Sequence, residues 1–168
     1  MKNRLARFNT YLAVAPTLVV GCQFGSKKKE ATQMRLFIEA NPDGTDRNGP
    51  VTIGRTDPFI INVENQSFLD EGSIAKAWVV DALGGFQIML QFDRRGTWLL
   101  EQYTVANRGR RIAIVAHFGP KRWLAAPVIT NRISDGLLVF TPDATREEAE
   151  RIVRGLNKVA ETLQKNNP

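Results

Sequence analysis

IAKAWVVDALGGFQIMLQF, residues 74–92, reads as two strands folded back on each other. Ile74–Ala82 and Phe86–Phe92 flank Gly84-Gly85, a pair suited to a tight hairpin. In the second strand Phe86, Ile88, Leu90 and Phe92 fall on one face, and Gln87, Met89 and Gln91 on the other. One face is therefore buried and the other wetter. A hairpin with one apolar face cannot stand alone in water, so the rest of the chain must cover it.

Downstream, Asp93 is positioned as the N-cap of a helix running to about Asn107, with Gly109 near its end. Trp98, Leu99, Tyr103 and Ala106 form the expected apolar stripe of that helix. Arg111–His117 is apolar on both faces, which predicts a central strand. Ala125–Ile133 and Leu137–Thr141 follow as strands around the turn Ser134-Asp135-Gly136. Thr145 and Glu148 have capping-box spacing. Ala149, Ile152, Val153, Leu156, Ala160 and Leu163 then share one helical face that must lie on a sheet.

Upstream, Arg35–Ala40, Val51–Arg55 and Phe59–Glu64 read as strands, with Phe59, Ile61 and Val63 on one face. Asn41–Pro50 carries turn chemistry. This order implies an α+β class, with a mixed, largely antiparallel sheet and two helices packed on one face.

The amino terminus is of another kind. Lys2, Arg4 and Arg7 precede a mostly apolar run, Phe8–Gly21, which is interrupted by Asn9, Thr10, Pro16 and Thr17. A membrane-spanning helix needs about 20 apolar residues, and an interior proline costs a helix about 3 kcal/mol. The layout is that of a secretory signal. Its ending, Val19-Val20-Gly21-Cys22, resembles the box of bacterial lipoproteins. That resemblance implies cleavage before Cys22 and lipidation of its thiol. Residues 1–21 are then the signal, 22–33 a basic tether and 34–165 a single domain. The eleven residues Gln23–Gln33 reach at most roughly 40 Å, so the domain stays near its membrane.

Of the 23 basic residues, three lie in the leader and three more are Lys27, Lys28 and Lys29. The body that remains has 17 basic and 17 acidic residues. Its net charge is zero, and a nucleic-acid partner, which requires a basic face on the folded domain, is not expected. The three lysines suit either anionic lipid headgroups or a solvated linker. Cys22 is the sole cysteine, so the body is held by its apolar core without disulfides.

From Phe92 to Asn157 the chain resembles the head of the first periplasmic domain of SecD, the accessory subunit of the bacterial protein translocase. The residues that carry the likeness are Thr104, Asn107 and Gly109, then Ile112-Ala113-Ile114-Val115 and Ala126-Pro127-Val128-Ile129. Ile133 and Gly136 follow, then Phe140-Thr141, Glu147-Glu148-Ala149 and Leu156-Asn157. With the hairpin added, the likeness spans about residues 74–160. It implies the head fold and contact with extended polypeptide. Two departures stand out: Ala116-His117-Phe118-Gly119 replaces an acidic turn, and no apolar span follows the leader.

No chemical site is legible. His117 is the sole histidine, and none of Ser26, Ser67, Ser73 or Ser134 lies in a nucleophile elbow. Asp43, Asp46 and Asn48 lack the closing glutamate of a calcium loop, and a transition-metal set is missing. No cofactor, metal or enzymatic activity is expected. Of the three tryptophans, Trp98 is expected in the core. Trp123 follows Gly119-Pro120-Lys121-Arg122 in an expected loop, either folded onto its own domain or facing a partner. The candidate binding surface is therefore Lys121, Arg122 and Trp123, within Phe118–Leu124 and the adjoining sheet edge. The expected function is a lipid-anchored, extracytoplasmic, non-catalytic module that binds envelope proteins or extended polypeptide, including by strand addition. The alternative is a structural envelope lipoprotein that reuses the fold for an unrelated interaction.

Overall fold

A computed structural model describes residues 31–166. The leader, Cys22 and the three tether lysines lie outside the described residues. Nine strands and two helices follow in order: β1 (Gln33–Ile38), β2 (Asn48–Ile53), β3 (Phe59–Glu64), β4 (Leu69–Asp70), β5 (Ile74–Ala82), β6 (Gly85–Phe92), α1 (Arg94–Ala106), β7 (Ile112–His117), β8 (Lys121–Ala125), β9 (Leu137–Phe140) and α2 (Arg146–Asn166). The α+β class holds, and the strands divide into three sheets ordered β4-β1-β7-β8, β2-β3 and β5-β6-β9. Every named strand pair is antiparallel. Among the described residues no helix is long and apolar enough to cross a membrane.

The β5–β6 hairpin forms around Gly84, whose φ of 82° lies where side chains are disfavoured. Ile88, Leu90 and Phe92 turn inward from β6. They join Met34, Leu36 and Ile38 of β1, Ile112 and Ile114 of β7, and Ala149, Ile152 and Leu156 of α2 in one core. Each fully buried aliphatic side chain stabilises the fold by about 1.5–3 kcal/mol.

The start of α2 closes as its spacing predicts. Thr145 N–H donates to Glu148 Oε2 at 2.9 Å, and Glu148 N–H donates to Thr145 Oγ1 at 3.2 Å. Two turns further on, Gly155 lets the helix touch the beginning of β1. A Cβ there would lie 2.8 Å from Thr32 Cβ and 2.9 Å from Thr32 N. Thr32 is accordingly buried, so the fold begins slightly before Met34. Asn157 binds both backbone groups of Ala77 on the free edge of β5. Its Oδ1 accepts from Ala77 N at 2.8 Å, and its Nδ2 donates to Ala77 O at 2.9 Å.

The first helix corrects the expected stripe. Asp93 caps it as foreseen, accepting from Gly96 N at 2.6 Å. Leu99 and Tyr103 pack half-buried against the core as expected, but the fully buried residues are Gly96, Leu100 and Thr104, while Trp98 is 59% exposed and Ala106 is also exposed. Two long-range demands turn the helix. A Cβ on Gly96 would sit 3.0 Å from Ser73 and Phe92, so any larger residue would push those neighbours aside. Thr104 Oγ1 donates to Leu100 O at 2.8 Å and accepts from Ile133 N at 3.1 Å, so it belongs inside.

The expected strand at Ala125–Ile133 is also displaced. The regular strand is β8, which ends at Ala125, and Pro127–Ile129 continues as extended chain joined by one bridge, Arg111↔Val128. Trp123 is thus a strand residue rather than a loop residue, because the turn is confined to Phe118-Gly119-Pro120.

Candidate functional site

The site follows from the two faces of the sheet β4-β1-β7-β8. Side chains alternate along a strand, so Met34, Leu36 and Ile38 enter the helix-covered core while Gln33, Arg35 and Phe37 point the other way. On β7, Ile112, Ile114 and Ala116 go inward. Ala113 instead belongs to a second cluster, formed with Ile53, Ile61 and Val63 of the β2–β3 hairpin and with Ala126. Both faces of β7 are covered there, which accounts for its unbroken apolar run.

The hairpin covers only part of the outer face. Below it lies a cleft of about 190 Å³ whose lining includes Arg35, Phe37, Val115, His117, Lys121 and Trp123. Register brings these residues together: Arg35 faces Val115, Gln33 faces His117, Val115 faces Trp123, and His117 faces Lys121. The rings of Phe37 and Trp123 meet edge to face, with centroids 5.5 Å apart and planes at 61°. Such a pair is worth about 0.5–1.5 kcal/mol beyond its buried area. Trp123 thus folds onto its own domain and also walls the cleft. Arg35 and Lys121 supply charge, and among the described residues no carboxylate lines the cleft.

Lys121 and Trp123 therefore come together, with Arg35 and Phe37 as partners that sequence reasoning missed. Arg122, between them in sequence, points to the other face and leaves the group. Its Nη1 and Nη2 donate to Glu148 Oε1 and Oε2 at 3.1 and 2.9 Å, and its guanidinium lies over Phe118, 5.2 Å from the ring centre. Arg55, just beyond β2, reaches Glu148 at 3.5 Å and Asp143 at 3.4 Å. Hydrogen bonds from Arg122 hold the Glu148 carboxyl down at about 2; the Thr145 N–H and the charges of Arg122 and Arg55 add to this against the opposing effect of burial. This network joins β8, α2 and the end of β2.

His117 faces Gln33 and Lys121 across the strands. Among the described residues no three His, Cys, Asp or Glu side chains stand close enough to hold a metal ion. The loop with Asp43 is closed by its own bonds: Asp43 Oδ1 accepts from Thr45 N at 2.9 Å and from Asn48 Nδ2 at 2.8 Å. What the cleft offers chemically is an aromatic wall, an aliphatic floor and two cations.

Residues 51–160 match the family described as "SecDF, P1 head subdomain". Among solved structures, one of SecDF, described as a membrane component that enhances protein export, aligns with a TM-score of 0.56 at 22% identity. It is covered over 63% of its length by 77% of this chain. SecDF in a super-membrane-facing form aligns with the same score and identity, with 77% of this chain covering 19% of it. The chain thus spans less than two thirds of either protein. At this identity the likeness is one of fold. No curated protein matches the chain.

Proposed function

This chain belongs to the SecDF P1 head subdomain family, which residues 51–160 match, and on that premise we propose that it is a non-catalytic binding module that contacts extended polypeptide on the extracytoplasmic side of a membrane. The observation that carries this reading is the cleft on the uncovered part of the sheet. Phe37, Trp123 and Val115 give it an apolar interior, and Arg35 and Lys121 stand at its rim. An aromatic wall beside cations suits side chains of a passing polypeptide and the carboxylates between them.

Support for the location comes from the leader, in which Lys2, Arg4 and Arg7 precede an apolar run that ends at Cys22. Lipid on Cys22 would tether the domain through residues 22–33, with Lys27–Lys29 against anionic headgroups. Support for the role comes from the matched solved structure, whose protein enhances protein export. The binding residues assigned are Lys121 and Trp123, joined by Arg35 and Phe37.

A photo-crosslinking residue placed at Trp123 in the chain's own cells tests the reading, with adducts identified by mass spectrometry. Many secretory polypeptides, or translocase subunits, are the expected adducts. One recurrent envelope protein would instead establish a fixed structural lipoprotein. Absence of any adduct would remove the cleft as the contact site. The anchor is tested separately: Cys22→Ser is expected to shift the protein out of the membrane fraction.

A further inference from the structure

We infer that the chain carries a second polypeptide site, a slot between β9 and the segment Pro127–Asn131 that accepts one uncharged extended strand. The proposal rests on reading the chain as a polypeptide-binding module and places part of that binding away from the cleft.

The backbone on both walls leads to it. Phe92 N–H donates to Gly136 O at 2.9 Å, which fixes the alternation along β6 and β9. Antiparallel pairs exchange hydrogen bonds at every second residue, so Leu138 and Phe140 bond to β6, and Val139 turns its N–H and C=O away from it. On the other wall, Ile112 N–H donates to Pro127 O at 2.9 Å and Ile129 N–H donates to Arg110 O at 2.8 Å. Those two bonds bracket the Arg111↔Val128 bridge, so Val128 turns its own N–H and C=O away from β7. Among the described residues neither valine has a backbone partner on its free side.

Both free edges line the same groove, with Ile112, Ile129 and Leu138 buried in its floor. Val128 and Val139 on its walls are 44% and 42% exposed. Unpaired donors and acceptors on two walls of one groove, closed at one end by the bond from Asp143 N–H to Leu124 O at 2.7 Å, suit an extended chain bonding along its edges. The lining contains no charged residue, so a charged side chain turned toward the floor would lose its water without compensation. The matching segment is uncharged and β-branched. Once seated, it would join the sheets of β7 and β9 into one.

The test uses the full chain and a heptapeptide of alternating threonine and valine with lysine at each end. Amide exchange is read residue by residue by NMR. Exchange at Val128 and Val139 is expected to slow by roughly ten-fold or more when peptide is added. The same peptide N-methylated at every second residue keeps its side chains and loses one row of donors, and it is expected to give no slowing. Val139→Pro should abolish binding of the unmodified peptide. Slowing confined to β1, β7 and the Trp123 cleft overturns the slot while leaving the binding module standing. Equal slowing by the N-methylated peptide overturns strand addition. Protection of Val139 without peptide means that this chain's own segment or a second copy fills the slot, and likewise overturns the proposal. Loss of polypeptide adducts at Trp123 with slowing intact at Val139 would sink the cleft alone.

Discussion

The two faces of the four-stranded sheet carry the same strands and opposite designs. On the inner face, residues from β1 and β7 disappear under two helices and a second sheet, and every large side chain is enclosed. On the outer face a two-stranded hairpin covers one end around Ala113, and the other end is left open as the cleft. Neighbours in sequence therefore live under different constraints. Ile114 is enclosed in the core, whereas Val115, its neighbour, borders the cleft on the other face.

The largest expected effect breaks the enclosed face. Ile114→Ala should lower unfolding free energy by about 2–5 kcal/mol in urea denaturation, because a sealed core cannot collapse fully around the void. Next comes the charge network that pins the hairpin's end to α2. Glu148→Gln should cost about 1–3 kcal/mol at neutral pH after allowance for its partial exposure. Because the folded carboxyl sits near 2 rather than 4.5, its contribution is complete above about 4.5 and is lost as pH falls toward about 2. The variant's stability should therefore converge with wild type in acid; a constant gap across that window would show that packing, not charge, was lost.

Val115→Ala should cost less, about 1–2 kcal/mol, since fewer carbons are removed and the buried side chain borders the cleft rather than the sealed core. A loss matching that of Ile114→Ala would erase the distinction between the faces. Smallest of all, Trp98→Ala should change the urea midpoint by less than about 0.5 kcal/mol equivalent, as befits an exposed side chain. The buried position that its spacing suggests would have cost about 3–5 kcal/mol.

Trp98 also marks how far the sequence was legible. The hairpin at Gly84, the cap at Thr145 and the apolar run of β7 are local patterns, and each could be read directly. The rotation of α1 was not, because Gly96 answers to Ser73 and Thr104 to Ile133, partners that lie far along the chain. The cleft was half visible. Lys121 and Trp123 stand two residues apart and share a face once their segment is a strand, and the mistaken loop assignment concealed that alternation. Arg122, grouped with them by adjacency, is turned to Glu148 by the same alternation. Arg35 and Phe37 reach the site through the pairing of β1 with β7, a register that nothing local specifies.

Asn157 occupies the free edge of β5 at Ala77 with an amide that copies a peptide group, accepting from Ala77 N–H and donating to Ala77 O. It works as a counterfeit strand one residue long. The three-stranded sheet is thus stopped at one point along one of its two edges, the other edge being β9. An edge stopped by a side-chain amide resists pairing with a second sheet, which guards the molecule at that point against growth edge to edge.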